Sequence, residues 1–103
     1  MLEESPFTWS EKIALDHPAT NGHFAGNPII PGSMILEYVR LALKTMDARL
    51  KLMRIIKAKF THVLRPGEEL AVTITKGSEN QFRFHCTDGK SNLIASGEFC
   101  AEG

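Results

Sequence analysis

Apolar and polar residues alternate in two clear runs in the second half of the chain. Leu70, Val72 and Ile74 are separated by Ala71 and Thr73, and Phe82, Phe84 and Cys86 by Arg83 and His85. A period of two predicts half-buried antiparallel strands. Arg65-Pro-Gly-Glu, Lys76-Gly-Ser-Glu-Asn and Thr87-Asp-Gly-Lys-Ser punctuate this half, dividing it into strands near 54 to 64, 69 to 76, 80 to 87 and 92 to 101 joined as a four-strand meander. The first half reads differently. Phe7 to Leu15 suits a strand, Asp16-His-Pro-Ala-Thr-Asn-Gly a turn-rich crossing, and Pro31-Gly32-Ser33 a helix start with Ser33 as N-cap, the helix running to about Ala48. Within it, Glu37, Arg40, Lys44 and Thr45 form a narrow polar strip among Met34, Ile35, Leu36, Tyr38, Val39, Leu41, Ala42, Leu43 and Met46. A helix apolar on most sides must be wrapped by other structure. The predicted class is α+β, with one domain over residues 1–103 in which an antiparallel sheet meets one long helix.

Composition narrows the function classes. At 103 residues there is room for a single core, and a chain this short leaves apolar surface uncovered unless it oligomerises. The start, Met1-Leu-Glu-Glu-Ser-Pro, lacks the basic and apolar regions of a signal peptide, and no apolar run is long enough to cross a membrane, so a cytoplasmic protein is expected. Cys86 and Cys100 lie in strand-like segments without CxxC spacing, which predicts buried reduced thiols rather than a disulfide or zinc site. A net charge of zero argues against a dedicated nucleic-acid binder. Its distribution is uneven, however: eight of the twelve Lys and Arg fall between Arg40 and Arg65, where Asp47 is the only acid. One face carrying these cations would attract an acidic partner.

The chemistry is concentrated in Gly22-His-Phe-Ala-Gly-Asn-Pro-Ile-Ile-Pro-Gly-Ser-Met-Ile-Leu-Glu. A histidine, a glycine at a helix start and an acid in the helix bring a candidate base, oxyanion donor and acid into one short stretch. His23 is the candidate base, since imidazole titrates nearest working pH. Gly32, at a helix start, offers a backbone N–H that an oxyanion can approach closely, and Pro28 and Pro31 stiffen its loop. Glu37 is the candidate acid. At the mouth of an apolar tunnel its pKa would be raised by desolvation; its plainer reading is a solvated acid paired with Arg40 three residues on. His23 and Gly32 have plain readings too, as a turn histidine bonded to a carbonyl and an ordinary Pro-Gly turn. His17 and His23 lack the neighbouring ligands of a metal site, and His62 and His85 read as surface or edge strand residues.

This stretch resembles the active-site motif of the FabZ/FabA-type β-hydroxyacyl-acyl carrier protein dehydratases. The similarity extends to Asp16-His-Pro before it and to Ala58-Lys-Phe and Val63-Leu-Arg-Pro-Gly-Glu-Glu-Leu after the helix. The chain is shorter than typical FabZ enzymes and more like the compact ApeI-like dehydratases of aryl-polyene-type pathways. It has Ala19-Thr20 where an aromatic pair often precedes the motif, and Tyr38-Val39-Arg40-Leu41 after the acid. The resemblance implies a hotdog fold, catalytic His23 and Glu37, and Gly32, Phe24 and Pro31 at the oxyanion and substrate site. It also implies no cofactor or metal, and an acyl carrier protein that would dock on Arg40, Lys44, Arg49, Lys51 and Arg54. Two chains would join their sheets as a homodimer or hotdog heterodimer, with His23 of one completing the site of the other. A hotdog thioesterase or a non-catalytic acyl-binding subunit are the alternatives.

Overall fold

The computed structural model describes residues 6–14 and 29–103. Six elements follow in order: β1 (Phe7–Lys12), α1 (Gly32–Met46), β2 (Lys51–Phe60), β3 (Glu69–Lys76), β4 (Gln81–Asp88) and β5 (Leu93–Glu102). The strands form one antiparallel sheet ordered β1-β3-β4-β5-β2. α1 lies on its inner face, burying Ile35, Tyr38, Val39, Ala42 and Leu43. Opposite them stand Leu70, Val72 and Ile74 of β3 and Phe82, Phe84 and Cys86 of β4, all buried as their alternation predicts. One helix held against a curved antiparallel sheet is the hotdog arrangement.

The meander is confined to β3, β4 and β5. β2 does not neighbour β3; it crosses to the far side of the sheet and pairs with β5. Arg65-Pro-Gly-Glu is therefore not a hairpin turn. Its Gly67 N–H donates to the Ile13 carbonyl at 2.7 Å, and Ile13 N–H donates to the Glu68 carbonyl at 2.9 Å, tying the crossing to the end of β1. That exchange closes β1 at Lys12, short of the predicted Leu15, which lies outside the described residues.

β2 also occupies Lys51–Phe60 rather than 54 to 64. Two register shifts, between Leu52 and Arg54 and between Ile55 and Lys57, leave Met53 and Ile56 as extra residues. Such bulges restore the facing that a strict two-residue period would lose. Leu52, Ile55, Ala58 and Phe60 pair with Ala101, Phe99, Gly97 and Ala95, whereas Lys51, Arg54, Lys57 and Lys59 pair with Glu102, Cys100, Glu98 and Ser96. All four cations thereby share the sheet's outer face. After Phe60 the chain leaves the sheet, pinned by Thr61, whose N–H reaches the Ile94 carbonyl at 2.9 Å and whose hydroxyl reaches that of Leu93 at 2.7 Å.

The cysteines are free thiols on opposite faces of the sheet: Cys86 stands opposite Ala95 among the core residues and Cys100 opposite Arg54. Burial pushes the Cys86 thiol up to about 12, so it stays protonated and inert.

Asp88 closes the β4–β5 hairpin. One carboxylate oxygen accepts the N–H groups of Lys90 (2.8 Å) and Asn92 (3.0 Å), and the other accepts the Asn92 amide at 3.0 Å. These donors, the Asn92 side chain foremost, hold its carboxyl below the ordinary carboxylate range. A depressed pKa contributes stability that is present above the unfolded value, about 3.9, and is lost as pH falls through the folded one. Asp88→Asn places an amide donor against the Asn92 donor. The variant is expected to be less stable than the parent at neutral pH, with the difference shrinking below pH about 4. Parallel denaturant titrations across pH 3 to 7 measure this, and a pH-independent difference would contradict the charge-based account.

Candidate active site at the helix N-terminus

The helix starts two residues earlier than predicted, and Ser33 is not its N-cap. Pro31 holds that position with φ −63° and ψ 152° and no side-chain bond. Its carbonyl accepts the N–H groups of Met34 at 3.0 Å and Ile35 at 3.1 Å, so Gly32 becomes the first helical residue. Just upstream, the buried Ile30 donates its N–H to the Leu64 carbonyl at 2.8 Å, anchoring the entry to the helix. The first N–H groups of a helix have no partner within it and carry the positive end of its dipole. Gly32 therefore stands where a developing oxyanion would be stabilised.

Sequence reasoning missed what lies over this glycine. A Cβ built on Gly32 would meet the Phe60 ring at 3.0, 3.1 and 3.3 Å. The ring is 47% exposed, so it borders the helix start and solvent together. Glycine at 32 accordingly serves two ends, leaving room for an aromatic wall and baring the backbone beside it. An apolar residue at the end of β2 was the available signal, but its contact partner depends on how β2 crosses the sheet.

Glu37 lies in the second turn of α1. Arg40 donates from Nε to Oε2 at 2.8 Å, and its Nη2 donates to the same oxygen. The pair is half-exposed, and the Arg40 hydrogen bonds hold the Glu37 carboxyl below its ordinary value, outweighing a smaller opposing effect of burial. Within one chain, then, Glu37 is the paired acid of the plainer reading rather than the desolvated acid of a tunnel. His23 and Phe24 lie outside the described residues, as do His17 and Pro28. Pro31 and Gly32 adjoin each other, with Glu37 five positions further along the same helix.

The cations expected on one docking face are divided between two places. Arg40 and Lys44 are on the helix, and Arg49 lies in the turn after it, paired with Asp47 at 3.1 Å. Lys51 and Arg54 project from the outer face of the sheet. The division follows from the reversal of the chain between α1 and β2 and from the β2 bulge at Met53. His62 lies beyond the end of β2, outside any strand, and His85 faces outward from β4. Among the described residues no three His, Cys, Asp or Glu side chains converge to hold a metal, and no helix is long and apolar enough to cross a membrane.

A family model, the ApeI-like family of ApeI dehydratases, matches residues 2–98. The 3-hydroxyacyl-acyl-carrier-protein dehydratase FabZ of Campylobacter curvus is 34% identical over 106 residues, spanning 89% of this chain and 70% of that protein. FabZ of Aliarcobacter butzleri is 37% identical over 78 residues, spanning 63% of this chain and only 53% of its own. Among solved structures, the dehydratase heterocomplex ApeI:P of Xenorhabdus doucetiae superposes with a TM-score of 0.80 at 19% identity, covering 93% of this chain and 86% of that one, a likeness of fold alone. The match of the family model along nearly the whole sequence, on a hotdog fold whose helix starts at the motif glycine, places the chain in the ApeI-like dehydratase family.

Proposed function

We propose that this protein removes water from β-hydroxyacyl thioesters on acyl carrier protein, giving trans-2-enoyl thioesters. The observation that carries this reading is Gly32 as the first helical residue, in a chain of the ApeI-like dehydratase family. The thioester oxygen accepts the Gly32 N–H, and the helix dipole favours the charge that develops there. His23 takes the proton from the carbon beside the carbonyl. As the carbon–carbon double bond forms, the β carbon–oxygen bond breaks, and the hydroxyl leaves as water with a proton from Glu37. Glu37 can carry that proton only once Arg40 releases it, and a half-exposed pair is weakly held. Phe24 and Pro31 would line the acyl entrance. The reaction needs no cofactor beyond the carrier's arm and suits the cytoplasm.

The site is read as shared between two hotdog chains. β2 is a border strand, and Met53, Ile56 and Phe60 along it are 54%, 38% and 47% exposed. Unpaired backbone next to uncovered apolar side chains invites a second sheet, which would bring His23 of one chain to Glu37 of the other. We take a second copy as the simplest partner, and a related hotdog subunit as the alternative.

The test is direct. Purified protein is incubated with β-hydroxyacyl carrier thioesters of several chain lengths while enoyl absorbance is followed. A rise on at least one substrate is expected; hydrolysis to free acid without enoyl product would replace this reading with a thioesterase.

A further inference from the structure

The outer face of the sheet carries a stripe of positive charge that the sequence cluster only partly revealed. Lys51, Arg54, Lys57 and Lys59 reach it from β2, and β4 adds Arg83 and His85, which register with Glu98 and Ser96 of β5. Five cations of this face thus stand beside two acids, Glu98 and Glu102. Glu98 lies in register between Arg83 and Lys57 and is 3.5 Å from the Lys57 ammonium. At the centre is an open depression of about 540 Å³, bordered by Lys57, Lys59, Arg83, His85, Ser96 and Glu98. The helix side is different, because Arg40 is engaged by Glu37 and Arg49 by Asp47.

We propose that this outer-face stripe, rather than the helix-side cations, is where the acidic carrier protein docks. The proposal rests on the dehydratase reading for its choice of carrier. Three observations support it. The charge is complementary to an acidic protein surface and largely unneutralised, which is what steers association. The same like charges repel a second copy of this face, so self-association is not its natural use. Finally, the stripe ends at Lys59, immediately before Phe60, whose ring lies against Gly32. A carrier seated at that end would therefore present its arm near the helix start. Lys59 and Phe60 are successive residues of β2, so their side chains stand on opposite faces of the sheet at the end of this stripe.

Two double reversals separate the possibilities: Lys59→Glu with Arg83→Glu on the outer face, and Lys44→Glu with Arg49→Glu on the helix side. Each is titrated with fluorescently labelled apo-acyl carrier protein at low and high salt, a measurement that requires no turnover. Expected is salt-sensitive binding by the parent, weakened about tenfold or more by the outer-face reversal and little changed by the helix-side one. The milder Lys59→Gln with Arg83→Gln should fall between, and thermal melting checks that all variants fold. Turnover of a pantetheine-analogue substrate should be spared by the outer-face reversal. Undiminished carrier binding after that reversal, or a larger loss from the helix-side one, would overturn the proposal. Absence of salt-sensitive carrier binding by the folded parent would do the same. Failure to turn over any thioester while carrier binding still follows the stripe would instead count against the dehydratase reading.

Discussion

Glu37→Gln is expected to slow dehydration by at least a factor of about 100, the lower range for loss of a general acid or base, and His23→Ala to abolish it. Gln keeps the size and helix preference of Glu, and position 37 is partly exposed, so lost packing would not account for such a drop. The two variants together test where the site is assembled. In a mixed dimer with shared sites, one site carries both lesions and the other pairs an intact His23 with an intact Glu37. Activity should then recover to about half that of the parent after subunit exchange. If each site lay within one chain, both would be damaged and nothing would recover, provided mass measurement confirms that exchange took place.

Gly97→Ala is expected to have the largest effect on stability. Gly97 sits on β5 between Ala58 of β2 and Phe84 of β4. A Cβ there would come within 2.1 Å of the Lys57 carbonyl oxygen and within 2.8 and 2.9 Å of the Phe84 ring. The first neighbour is backbone and cannot yield without opening the β2–β5 ladder. The second is buried and packed against Phe99 at 6.2 Å between ring centres. Overpacking of this kind costs about 3 kcal/mol, the upper end of its usual range. That is a large part of the roughly 5–15 kcal/mol that holds a domain together. Urea unfolding should show a lower midpoint with little change in slope. A shift equivalent to less than about 0.5 kcal/mol, typical of an inconsequential surface change, would refute this packing.

What could be read from the residues alone follows from how local each cause is. β3 and β4 were legible because Leu70 to Ile74 and Phe82 to Cys86 alternate without interruption, and the helix because its apolar run is long and follows Pro31-Gly32. The bounds of β2 were not, since Met53 and Ile56 break the alternation that marks a strand. Its place beside β5 was hidden too, because a partner some forty residues away leaves no local trace. At the site, the Glu37–Arg40 pair was legible as helix neighbours three apart, whereas Phe60 over Gly32 required the sheet order. Ser33 has the chemistry of an N-cap, yet the Pro31 carbonyl already accepts the first helical bonds. His23 and Phe24, central to the motif, lie outside the described residues, so their roles rest on the mutants and mixed dimers above.

The two bulges in β2 also bear on how this strand could change length. Neither Met53 nor Ile56 faces a residue of β5, while every other residue of the strand does. Excising both would leave Lys51-Leu-Arg-Ile-Lys-Ala-Lys-Phe, a strictly alternating segment with each remaining side chain opposite its present partner. Loss of a single residue, which would scramble a regular strand, is therefore harmless to pairing at these two positions. What would disappear is curvature, because each extra residue bends and twists the strand that carries it. A straightened border of the same composition would be a flatter template for indefinite edge-to-edge stacking, whereas the bent one suits a single partner edge of matching curvature.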